Sequence, residues 1–213
     1  MVYFPSVLVR PGRSFTLAID QNRLLQISLA LIAIDFILAL CALPAMSIAI
    51  DAAAAKNPVM IGGMKPVILG FMVLMMSLYR IFFIAAMTLF YQLAVTVLGG
   101  ANVFRKIFTV LALATVPLVL GRVLRLVAYL TGLTDSIKAN PFTFDTLVGA
   151  YLPASLAHAA RAVDVFDIWT LGLVVSGFVR ISGLAPITAA LTSFVLWSAV
   201  QVLFIRLQSF SGK

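Results

Sequence analysis

Glutamate is absent from this chain, and its seven acidic residues are all aspartates. Cysteine occurs once, at Cys41, and histidine once, at His158. Charged residues make up 10% of the 213, against roughly 25% in a soluble domain that must face water on all sides. Each scarcity excludes something. One cysteine inside an apolar run makes neither a disulfide framework nor a thiolate metal site, and it reads as a small packed hydrophobe. A zinc hydrolase motif needs two histidines one turn apart and a glutamate, so it is excluded. No P-loop, GxSxG, GxGxxG or CxxC occurs. The expectation is a non-enzymatic protein with no catalytic residue, no metal site and no cofactor.

What the chain has in excess is apolar surface. Hydrophobic residues are 63% of the sequence and mean hydropathy is +1.14, more than one water-surrounded core can bury. Runs of about 18 or more mainly apolar residues recur, each long enough for a hydrocarbon core of about 30 Å. The fold class expected is an all-α integral membrane protein, a five-span helical bundle with short interfacial helices. The net charge of +8 comes from 15 Lys and Arg scattered over loops and helix ends, as membrane orientation and snorkelling require. No nucleic-acid partner is expected, and the bilayer is.

The spans are read at 24–48, 81–98, 107–121, 166–181 and 187–205, between an N-terminal tail (1–23) and a C-terminal one (207–213). The first apolar run starts only near Leu24 and carries Asp35, which marks an uncleaved span and not a signal peptide. Val67 to Leu98 is too long for one crossing, so Ile81 to Leu98 is taken as the span, with Arg80 at the far interface. Gly99 and Gly100 end that helix, and Arg105 and Lys106 open the next at the headgroups. Two segments read as interfacial: one capped by Ser14 and carrying Phe15, Ala18 and Leu25, and one starting at Pro153 with Leu156, Ala159, Ala160 and Val163. Small residues (Ala30, Ala33, Ala112, Gly172, Gly177) allow close helix approach. Short basic loops on the side of the N-tail favour a cytoplasmic N-terminus.

"LGG", a short turn "ANVFRK", and a proline-centred span "IFTVLALATVPLVLG" together resemble the Yip (Ypt-interacting protein) family. "AVDVFDIWTLGLVVSGFVRISGL" is similar to that family's fourth span, and "RPGRSFTLAI" to the entry of bacterial members. The resemblance covers most of the chain in order. It implies a five-span bundle with a cytoplasmic N-terminus, and association with other copies or other membrane proteins. Eukaryotic members act in Golgi and endoplasmic-reticulum traffic and bind Rab-type GTPases through a long cytosolic tail. Here the first span begins near Leu24, so a Rab-type partner is not expected. The bacterial cytoplasmic membrane is the implied location, with Golgi or endoplasmic reticulum the alternative for a eukaryotic source. Some bacterial relatives accompany ABC-type export systems. The resemblance brings no catalytic residues.

Intramembrane charges are usually partnered. Arg80, Arg122 and Asp167, with Arg125 and Asp164 near, form a candidate ion-pair network joining three spans, the alternative being separate snorkelling of each Arg and helix capping by the aspartates. Asp35 falls near mid-span with no Lys or Arg evidently level with it. It reads either as a structural hydrogen-bonding partner of Thr115 or of the carbonyl freed by Pro117, or as a proton or cation relay. Two functions follow: a scaffold or accessory subunit of a membrane assembly, or a transporter component whose polar path uses Asp35 and the charged cluster.

Overall fold

The computed structural model describes residues 3–21, 23–55, 64–100, 103–135, 139–151, 153, 160–161 and 163–211. Ten α-helices in these residues carry the architecture: α1 (Tyr3–Val9), α2 (Pro11–Asp20), α3 (Leu24–Cys41), α4 (Leu43–Ala54), α5 (Lys65–Val97), α6 (Phe104–Ala114), α7 (Val116–Leu130), α8 (Phe144–Val148), α9 (Val165–Ile181) and α10 (Pro186–Ser211). No strand occurs among the described residues, only an isolated bridge between Thr143 and Asp164. Three helical segments are long and apolar enough to cross a membrane: Leu24–Cys41, Lys65–Val97 and Phe104–Leu130. With the shorter apolar helices, the chain is an all-α membrane protein.

The segment Phe104–Leu130 is the axis of the bundle. It breaks at Thr115, because Pro117 has no N–H to donate and its ring collides with the preceding turn. Every residue from Ile107 to Pro117 is buried, which needs neighbours on all sides. Helices α3, α5 and α9 pack around α6, and α1 and α2 close the remaining face. Val7, Phe15 and Ala18 are fully buried there.

The segment expected to be interfacial packs on the bundle: helix α2 is amphipathic, and it meets α6 and α9. Ser14 does not cap it. The helix starts at Pro11, and the Ser14 hydroxyl donates to the Arg10 carbonyl (3.1 Å). Leu25 faces outward. The interfacial segment expected after Pro153 lies largely outside the described residues.

Helix α5 runs unbroken for 33 residues, about 50 Å at a rise of about 1.5 Å per residue, so the residues before Ile81 continue the same helix. Helices α3 and α4 run antiparallel to it as a bent pair. The far end of this hairpin is tied by Lys65 Nζ to Asp51 at 2.7 Å.

The turn after α5 is a Schellman motif. Gly99 has a φ of +79°, its N–H reaches the Thr96 carbonyl, and the Gly100 N–H reaches that of Val95 at 2.8 Å. A side chain at Gly100 would strike Val95 and the Ser182 carbonyl. The Gln92 side chain accepts the Val103 N–H at 3.0 Å and closes the turn. Arg105 and Lys106 then stand exposed on the first turn of α6.

Candidate functional site: a buried charge cluster and its cavity

The buried stripe of α3 is Ile27, Leu31, Asp35 and Ala39, four residues apart each time. The buried stripe of α5 includes Val73, Ser77, Arg80, Ile84, Met87, Tyr91 and Val95, in steps of three or four as a helix–helix seam has. Asp35 and Arg80 therefore hold seam positions where an apolar side chain would ordinarily sit. They face each other. Arg80 Nε donates to Asp35 Oδ2 at 2.6 Å and Nη2 to Oδ1 at 2.9 Å, a bidentate pair. Arg122 Nη1, from α7, donates to the same Oδ1 at 3.2 Å. The Asp35 and Arg80 side chains are 2% and 5% exposed, and Arg122 is 38%. Arg80 Nη1 makes a longer contact (3.4 Å) to the Thr115 carbonyl, at the α6–α7 break.

This arrangement corrects one expectation: Asp35 does have cations level with it. Arg80 is held in an ion pair, with Asp35 as its partner. Depth counted from the chain positions misled because α3 does not begin level with the end of α5. Asp35 is about 16 Å above Leu24, whereas Arg80 is about 26 Å above Val97. Pairing them sets Leu24 about 9 Å further in. The expected bonding of Asp35 to Thr115 or to the carbonyl freed by Pro117 is likewise not the observed one; it is Arg80 that reaches the break.

The expected ion pairing of Arg80 and Arg122 with Asp167 is not formed. Asp164 and Asp167 instead build a reciprocal capping box at the start of α9: Asp164 Oδ1 accepts the Asp167 N–H at 2.9 Å, and Asp167 Oδ2 accepts the Asp164 N–H at 3.0 Å. Asn140 Nδ2 donates to the other Asp164 oxygen at 3.0 Å. The helix start offers several unsatisfied N–H donors, and those are what the two carboxylates meet. Arg125 Nε donates to the Gly121 carbonyl at 3.3 Å, and among the described residues it forms no ion pair.

A cavity of about 520 Å³ lies beside the cluster, walled by α5, α6, α7, α9, α10 and the connection before α9. Arg80, Arg122, Arg125, Arg161, Asp164 and Asp167 line it together with apolar side chains. A second cavity, about 270 Å³, lies between α3, α5 and α7 and includes Asp35, Arg122 and Arg125. Asn140, Arg161 and Thr170 were not anticipated as site residues. They come from a connection and from the middle of α9, and no spacing in the sequence joins them to Arg80.

Among the described residues no group of three or more His, Cys, Asp or Glu is placed to hold a metal ion. A family model described as the Yip1 domain matches residues 6–207. No curated protein and no solved structure matches the chain.

Proposed function

The chain belongs to the Yip1 domain family of membrane proteins, and from that premise we propose that it is a non-enzymatic scaffold or accessory subunit of a membrane assembly, of which an ABC-type export system is one candidate. One observation carries this reading: the deepest charges are consumed by each other. Asp35 clamps α3, α5 and α7 together, so the buried Asp35–Arg80 pair that a carrier would need free is committed to holding the bundle. Meanwhile α5 presents Phe82, Leu89, Phe90, Leu93 and Val97 outward. In a bilayer this face meets lipid or the helices of another membrane protein. This reading takes a cytoplasmic N-terminus and the bacterial cytoplasmic membrane, on the strength of the short basic loops on the side of the N-tail.

Capture of the tagged chain from native membranes in mild detergent, with the mass of the intact complex determined, tests the proposal. A stoichiometric second membrane protein supports the accessory role. The chain alone, at monomer mass, sinks it. A transporter component is the competing reading, favoured by Arg122 and Arg125 lining cavities on two sides. Solute flux by the reconstituted chain is its signature.

A further inference from the structure

We propose that the larger cavity is a binding site for an anionic amphiphile, a molecule with an oxyanion head and an apolar chain, as a membrane phospholipid has.

The cavity is polarised along its length, and three helices agree on the direction. On α5 it runs from Arg80 to Tyr91, about 16 Å, charged at the first end and lined by Ile84 and Met87 beyond it. On α6–α7 the order is Leu111, Thr115, Leu118, then Arg122 and Arg125. On α9, Asp164 and Asp167 lie at the charged end and Val174 towards the other. Trp197 and Val200 of α10 complete an apolar wall. One end of the space therefore suits a charged head and the other a hydrocarbon chain. Its volume, about 520 Å³, is within the range of ligand-holding cavities, about 300–1,000 Å³.

The sign of the head follows from which charges are already used. Arg80 is held by Asp35, and Arg161 Nε by Asp145 at 2.8 Å. The Asp164 and Asp167 carboxylates accept the N–H groups of the α9 terminus. Arg122 gives only one nitrogen to Asp35, and Arg125, although near enough to the Asp167 carboxylate to act on it through space, forms no salt bridge among the described residues. The uncommitted groups are therefore guanidinium donors, which favour phosphate or carboxylate oxygens in a forked geometry. Thr170 lines the same cavity, and its buried hydroxyl has no hydrogen-bond partner among the described residues.

The test uses the full chain purified in detergent, with lipid binding followed by native mass spectrometry. Dioleoyl phosphatidylglycerol and dioleoyl phosphatidylcholine are offered singly, and inorganic phosphate is added as competitor. Phosphatidylglycerol is expected to bind with one-to-one stoichiometry and at least about tenfold more tightly than phosphatidylcholine, the ratio that one charge-assisted hydrogen bond supports. Arg125→Gln should lower that affinity about tenfold at an unchanged melting temperature, with Arg125→Lys between the two. Val200→Trp, which narrows the apolar wall that α10 contributes, should weaken the lipid but not phosphate. Equal binding of the two lipids, or no effect of Arg125→Gln, overturns the proposal. Phosphate displacing the lipid at similar concentration, with Val200→Trp silent, also overturns it and leaves a simple anion site. If Arg125→Gln does not fold, the lipid ratio and Val200→Trp decide.

Discussion

Asp35 is one carboxylate facing two guanidinium groups, so the cluster carries an excess positive charge in a buried place. Removing the carboxylate leaves Arg80 and Arg122 against each other with nothing between them. Loss of one partner from a buried pair typically destabilises by about 3–5 kcal/mol. Asp35→Asn is therefore expected to unfold at clearly lower denaturant in detergent, by about that amount. Double-mutant cycles separate the pairing observed from the one expected from chain order. Asp35→Asn with Arg80→Gln should couple by about 1 kcal/mol or more, and Arg122→Gln with Asp167→Asn should be additive within about 0.5 kcal/mol. Equal coupling in both cycles would contradict the geometry. Each of these residues was recognisable as a costly intramembrane charge from its neighbours alone. Which charge met which was not, because the register of α3 on α5 is set by packing and leaves no mark in either segment.

At the scale of elements, the tight turn at Gly99–Gly100 was legible and the helix seams were not. A turn is a local matter: a left-handed residue and a small one must follow the last helical turn, and only glycine fills both places at little cost. A seam is read from contrast between faces, and α3 and α5 are apolar all round, so their inward stripes cannot be distinguished by hydropathy. The two glycines of α9 show the same limit. Gly177 packs against Val110 of α6 and Phe15 of α2, whereas Gly172 faces open space. Gly177→Leu is expected to destabilise by about 1–3 kcal/mol through overpacking, and Gly172→Ala to be neutral or stabilising by up to about 1 kcal/mol. Thermal unfolding of the two purified variants checks this, and equal effects would show that α6 and α9 do not meet as described.

For the whole molecule, the N-terminal hairpin is part of the bundle. Phe15 is 1% exposed, and truncating such an aromatic generally costs about 3–5 kcal/mol. Deleting residues 1–20 should therefore expose the face of α6 that α1 and α2 cover, lower the melting temperature, and open the chain to limited proteolysis. A deletion with unchanged melting would mean the tail lies on the membrane instead.

Class was decided by the sequence by itself, since apolar surface on this scale has no solvent but lipid, and one Cys, one His and no Glu leave no disulfide framework and no HExxH zinc motif. The break at Pro117 and the stop at Gly99 were likewise local, set by backbone sterics within a few residues. Only the tertiary structure decided that Asp35 bridges Arg80 and Arg122, that α6 is the axis, and that Arg125 and Thr170 open onto one cavity. Those outcomes depend on register and rotation between segments far apart in the chain. Where every face of a helix is apolar, the sequence carries no contrast to specify them, and close packing makes the choice.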